Sequence, residues 1–224
     1  MMADFHFINA IWDFDGTLFD TYPAMLRALQ ETLQEFGDKT DSDALYKEIK
    51  TTSIGDVLKS YAEQHNIDLQ ALHERMDVLE KKYQPETPTA YPHAREILQL
   101  VSDHGANFLW THRDRSALSF LTTEGMSELF TGIVTASDRF PRKPDPKAIN
   151  AFIAHYGLDP AVTVMIGDRP IDVEAGKNAG VHTIFFDVDG FGDSSNADAV
   201  VSDLGQIQNY FLDQGKGETD EGTY

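Results

Sequence analysis

The chain contains no cysteine, so disulfide bonds and thiolate chemistry are excluded, although this constrains the compartment only weakly. Basic residues are scarce: 18 Lys and Arg stand against 37 Asp and Glu, for a formal charge of -19. A surface this negative repels phosphodiester backbones and offers no counterion release, which argues against nucleic acid as a partner. Solubility alone would also explain the acidic excess, and a small anion can still bind where local positive charge outweighs the global field. No run approaches the roughly 18 consecutive apolar residues of a membrane span. The opening MMADFHFINAIW lacks a basic stretch and has only a short apolar run, unlike a signal peptide. The expectation is a cytoplasmic monomer or small homo-oligomer without a nucleic-acid or membrane partner. The eight histidines form no ligand-spaced cluster, and no internal repeat is visible.

Against these absences, 41% of the 224 residues are hydrophobic, enough to bury a sizeable core in one domain or one domain with an insertion. Residues 6–12 (HFINAIW) read as a short buried strand ending at a polar burst. From Tyr22 to about Tyr83 the pattern turns helical. Met25, Leu26, Leu29, Leu33 and Phe36 recur at helical spacing, Ser53 can cap a helix through His65, and Asp68 can cap another. The proline-rich stretch from Pro85 to Pro92 reads as a hinge or linker. Strands then alternate with helices: strands at 106–110, 133–134, 162–166, 182–186 and 199–201, with helices at 93–103, from Ser116, 146–156, 170–179 and 203–212. Such alternation implies a parallel sheet covered on both faces. The predicted architecture is α/β, a Rossmann-like doubly wound parallel sheet with an inserted all-helical domain. Residues 1–17 and 86–212 form the core, 18–85 the insertion, and 213–224 a flexible polar tail.

Ligands of such sheets sit at the carboxyl ends of the strands, and the candidate residues fall there. Asp13-Phe14-Asp15-Gly16-Thr17 directly follows the first strand. Two carboxylates two residues apart on an extended segment point the same way, an arrangement that asks for a metal, a shared proton, or both. Gly16 removes a side chain where the backbone must approach a ligand or turn sharply. Thr111 ends the second core strand with a hydroxyl that can donate to a phosphoryl oxygen or simply cap a turn. Lys143 lies in a proline-bounded loop and offers a compact charge for phosphate or carboxylate oxygens. Asp168 sits at a strand–helix junction, with Asp172 one helical turn further on the same face. Hard cations such as magnesium need only one or two protein carboxylates, while acids at a helix start also stabilise its dipole. Singly these signals are moderate; together they place an acid pair, a hydroxyl, a lysine and an acid in order around one sheet.

In this combination the chain resembles the haloacid dehalogenase-like hydrolases, in the phosphatase branch with a helical cap after the first motif. The four motifs are DFDGTLFD (13–20), FLWT (108–111), RKPDP (142–146) and GDRPIDVEAGKNAG (167–180). The resemblance implies a Mg2+-dependent phosphatase for a small-molecule phosphate ester. In it Asp13 is the nucleophile and Asp15 the general acid and then base, while Thr111 and Lys143 hold the phosphoryl group. Asp13, Asp15 (through its backbone carbonyl) and Asp168 bind the metal, with Asp172 supporting them. Gly16, Thr17, His112 and Arg113 are expected at the substrate. His112 and Arg113 depart from the asparagine and the small or basic residue that relatives often carry there. The cap would read the leaving group, with substrate contacts expected from the loop Thr51–Gly55. A phosphomutase of the beta-phosphoglucomutase type shares these motifs. A signalling receiver domain uses similar groups, but it phosphorylates an aspartate on a later strand and lacks the helical insertion.

Overall fold

The structure is a computed structural model that describes residues 6–83, 89–190 and 196–211; the expected tail and residues 85–88 of the proline stretch lie outside these. Among the described residues six strands form one parallel sheet: β1 (Asn9–Trp12), β2 (Ala106–Trp110), β3 (Phe130–Val134), β4 (Thr163–Gly167), β5 (His182–Phe186) and β6 (Ala199–Val201). Their order is β3-β2-β1-β4-β5-β6. The chain winds outward from β1 through β2 to β3, then crosses to β4 on the other side, so β1 lies at the switch point where doubly wound sheets bind ligands.

β1 reads NAIW and is buried along its length, as a central parallel strand must be. Its side chains alternate between faces. Ala10 and Trp12 pack with helices α5 (Ala94–His104) and α6 (Ser116–Thr123) and with the 3-10 helix Leu204–Tyr210. Ile11 faces α7 (Lys147–Tyr156) and α8 (Pro170–Ala179); its burial is worth about 1.5–3 kcal/mol. Polar groups within the sheet are satisfied: Trp12 Nε1 donates to Asn107 Oδ1 at 2.8 Å, and Asn107 Nδ2 donates to the Leu98 carbonyl at 2.8 Å.

Among the described residues four helices lie between β1 and α5: α1 (Tyr22–Glu35), α2 (Ser42–Thr51), α3 (Ile54–His65) and α4 (Leu69–Tyr83). They bury a cluster of their own, running from Tyr22 to Leu79 and including Leu29, Leu33, Ile49, Leu58 and Leu72. Ser53 caps α3 by accepting from Asp56 N–H at 3.1 Å. The chain leaves and re-enters the sheet layer side by side: Asp20 N–H donates to the Thr89 carbonyl and Tyr91 N–H to that of Leu18, both at 2.9 Å.

Several element bounds differ from the sequence reading, each for a local reason. Residues 7 and 8 do not extend β1, because their N–H groups bond to the carbonyls of Tyr210 and Val162 instead. Val162 belongs to a 3-10 turn whose start is capped by Asp159. The last helix is 3-10, started by Asp203 accepting from Gly205 N–H. Helix α2 was not separately read from the sequence; Asp41 caps it, accepting from Asp43 and Ala44 N–H groups. No described helix is long and apolar enough to cross a membrane.

Candidate active site

Asp13, Thr111 and Asp168 stand at the carboxyl ends of β1, β2 and β4, and Lys143 reaches Asp13 from the loop between β3 and α7. Asp13 is anchored by its N–H donating to the Ile166 carbonyl at 2.9 Å. Lys143 Nζ lies 2.6 Å from Asp13 Oδ1 and 2.7 Å from Asp172 Oδ1, with its side chain wholly buried. A lone buried ammonium would shed its proton. Here burial acts in that direction, but Asp13 and Asp172 outweigh it and keep the lysine charged. Burial pushes the Asp13 carboxyl up to about 7, against the pull of Lys143 and with the help of Asp172 and Asp168. Burial would raise Asp172 as well, yet Lys143 and Arg169 hold it below its ordinary value. Asp172 also accepts from Arg169 N–H at 3.0 Å.

The two side chains of the acid pair take different protein partners, Asp13 pairing with Lys143. Asp15 turns to Arg113, whose Nε and Nη2 lie 2.9 and 2.7 Å from Asp15 Oδ1. Arg113 also approaches Glu80 of α4 at 3.6 Å, so an acid of the sheet layer and an acid of the helical layer share one guanidinium. Thr111 is 1% exposed; its Oγ1 accepts from Arg113 N–H at 3.0 Å, which leaves the hydroxyl proton able to donate. Gly16 has a φ of +78°, and a Cβ there would lie 2.4 Å from Asp168 Oδ2. The glycine therefore makes room for a carboxylate of the site as well as for a turn. Thr17, expected at the substrate, donates to Asp168 Oδ1 at 3.2 Å.

His112, also expected at the substrate, holds the Lys143 loop. Its Nε2 accepts from the Lys143 backbone N–H at 2.9 Å, and Arg142 Nε lies 3.4 Å from Nδ1. Burial and the adjacent cations Lys143, Arg142 and Arg169 lower its pKa to about 3, so the ring is neutral. In the Thr51–Gly55 loop, Thr51 and Thr52 turn their hydroxyls back onto carbonyls of α2. The residue that enters the site is the one before this loop. Lys50, 6% exposed, places Nζ 2.7 Å from Asp168 Oδ2 and 3.1 Å from Asp189 Oδ2. Tyr22 OH donates to the same Asp168 oxygen at 3.0 Å, and Tyr46 OH donates to Asp189 at 3.0 Å.

Lys50, Tyr22 and Arg169 were missed in the sequence. Lys50 ends a helix, where a basic residue ordinarily complements the dipole, and Tyr22 reads as a helix start. Arg169 lies inside a quoted motif, but nothing in its spacing shows that its buried Nε lacks a hydrogen-bond partner. It sits in the fields of Tyr22, Asp172, Asp13 and Asp168, which together hold it charged despite burial.

The donor set suits a hard divalent cation. Asp13, Asp168 and Asp172 offer carboxylate oxygens within 4.8 Å of one another, and Asp13 Oδ2 is buried without a hydrogen-bond partner. A buried carboxylate oxygen of this kind is costly unless something occupies its lone pairs. Oxygen-only ligation fits magnesium. The Asp15 carboxylate lies outside this cluster.

Known proteins resemble the chain along most of its length. The family model described as haloacid dehalogenase-like hydrolase matches residues 10–186. The pyrophosphatase PpaX of Bacillus velezensis is 27% identical over 195 residues, covering 81% of this chain and 84% of its own. A phosphoglycolate phosphatase of Photobacterium profundum is 29% identical over 199 residues, covering 82% and 85%. Among solved structures, a hydrolase from Streptococcus pneumoniae is 32% identical with a TM-score of 0.57, covering 79% of this chain and 91% of that one.

Proposed function

The chain belongs to the haloacid dehalogenase-like hydrolases, and from that premise we propose that it is a magnesium-dependent phosphatase of small phosphate monoesters with Asp13 as nucleophile. The observation that carries this reading is the asymmetry of Asp13. Lys143 orients Oδ1 at 2.6 Å, while Oδ2 has no hydrogen-bond partner among the described residues, on a carboxylate gathered with those of Asp168 and Asp172. One oxygen is held and the other is available.

Asp13, Asp168 and the backbone of Asp15 would hold Mg2+, with Asp172 supporting them; the ion would keep Asp13 ionised and offset charge on the phosphoryl oxygens. An Asp13 oxygen attacks phosphorus in line, and the bond from phosphorus to the ester oxygen breaks. Asp15 gives its proton to the departing alkoxide. Asp15 then takes a proton from water, the water oxygen attacks the aspartyl phosphate, and the Asp13–phosphorus bond breaks to release inorganic phosphate. Lys143 and the Thr111 hydroxyl meet the transferring oxygens. Helices α1–α4 act as the cap over this site, shielding it from water. Pyrophosphatase and phosphoglycolate phosphatase relatives support a small, multiply charged substrate.

The test is phosphate release from p-nitrophenyl phosphate and from an alkyl phosphate, with Mg2+ present. Asp13→Asn should abolish both reactions without unfolding the protein, because Asp172 still pairs with Lys143. Asp15→Asn should slow the alkyl ester by about 100-fold or more, within the usual worth of acid–base catalysis, and the activated ester far less. Excess chelator should stop turnover until Mg2+ is restored. Turnover by Asp13→Asn, or in chelator, is incompatible with this mechanism.

A further inference from the structure

The carboxylate expected to bind metal is already filled. Asp168 Oδ1 accepts from Thr17 at 3.2 Å, and Oδ2 accepts from both Tyr22 OH at 3.0 Å and Lys50 Nζ at 2.7 Å. A carboxylate oxygen offers two lone-pair positions, so Oδ2 has none to spare. Thr17 and Tyr22 bring neutral hydroxyls from the β1 loop and the start of α1. Lys50 differs in kind: it is a full positive charge, it comes from α2, and its side chain is 6% exposed.

We propose that Lys50 is a cap-borne competitor of the metal, so that its ammonium and a divalent cation exclude one another at Asp168. This rests on the reading of Asp13 and Asp168 as the magnesium site. Both cations seek the same carboxylate, and at a few ångströms their mutual repulsion is strong. A purely structural ion pair between α2 and the sheet layer could end on any acid, whereas this one ends on a carboxylate that closes the gathered cluster of three. Asp189 supplies the second half of the exchange. Its Oδ2 lies 3.1 Å from the same Nζ, and Tyr46, one turn before Lys50 on α2, donates to its carboxylate. When metal takes Asp168, Lys50 keeps Asp189 as a partner and remains beside the site. The protein therefore carries a substitute cation for the metal-free state and surrenders it on loading.

The competition is read by binding in the full-length protein, without substrate or turnover. Mn2+ is titrated into wild type, Lys50→Met, Lys50→Gln and Lys50→Arg and followed by electron paramagnetic resonance. Both neutral variants should bind about tenfold more tightly than wild type, the scale of one nearby charge. Lys50→Arg, which keeps the charge, should stay near wild type. A second measurement uses wild type alone: acetylation of Lys50 by acetic anhydride, quantified by mass spectrometry, should speed up on adding Mg2+ as the ammonium leaves Asp168. Equal or weaker Mn2+ binding by the folded neutral variants overturns the proposal, and so does acetylation unaffected or slowed by Mg2+. If wild type and variants alike bind no metal, the magnesium reading itself fails, and this inference with it.

Discussion

Substitutions at single positions in this site act through charges that water cannot reach. His112 is the clearest case, because burial and the cations Lys143, Arg142 and Arg169 outweigh the opposing field of Asp172. The unfolded chain protonates this ring near 6.5, while the folded chain does so only near 3. Between those values the unfolded state holds the extra proton, so stability is complete above about 6.5 and drains away as the pH falls toward 3. Down to pH 5 the loss from this group alone is about 2 kcal/mol. Urea unfolding at pH 7 and pH 5 should show it. His112→Gln lacks the proton site, and its stability relative to wild type should improve by about that amount on acidification. Parallel losses in the two proteins would show that the ring is not kept neutral by the fold.

At the scale of elements, the loop between β1 and α1 joins backbone geometry to charge. The Phe14 carbonyl receives the N–H groups of Leu18 and Phe19, each at 3.1 Å, and this turn needs Gly16 at φ +78°. In Gly16→Ala the new methyl would meet Asp168 Oδ2 at 2.4 Å and a Tyr22 ring carbon at 2.3 Å. Left-handed backbone strain and overpacking together should cost about 2–4 kcal/mol. Thermal or urea unfolding checks this, and an unchanged midpoint would mean that the loop rebuilds freely. This element also shows what a sequence discloses. The strand, the glycine turn and the acids at the strand end were legible, because burial pattern and turn chemistry are local. The strand–helix alternation gave the parallel sheet for the same reason. Helix α2 was not separately resolved, and with it Lys50, because a lysine at a helix end looks solvated until the fold brings it against Asp168, just after β4. The intramolecular bonds of Thr17 and His112 were not legible for a related reason: their partners, Asp168 and the Lys143 backbone, are distant along the chain.

For the whole molecule, the charge of -19 and an anionic substrate are reconciled locally. Asp13, Asp15, Asp168 and Asp172 are met by Lys50, Arg113, Lys143 and Arg169, so positive charge is concentrated at the site within a negative surface. Two of these cations tie the layers together: Lys50 comes from the helical layer, and Arg113 of the sheet layer reaches Glu80 on α4. The apolar cores are nevertheless separate, since the cluster from Tyr22 to Leu79 draws on none of the residues that cover the two faces of the sheet. The connecting strands meet at an antiparallel bridge between Phe19 and Ala90, so their ends can be joined without moving the sheet. Replacing residues 21–88 by a short Gly/Ser turn should therefore leave a cooperatively folding sheet domain, seen as a single thermal transition. It should still cleave p-nitrophenyl phosphate in an Asp13-dependent way, because Asp13, Thr111, Lys143 and Asp168 all remain. Discrimination among natural esters should collapse, since the helical-layer groups that meet the site, Tyr22, Lys50 and Glu80, are gone. An insoluble or molten product would show that the helical layer is part of one cooperative fold rather than a cap carried by the sheet. Undiminished selectivity in the shortened chain would place leaving-group recognition in the sheet's own loops.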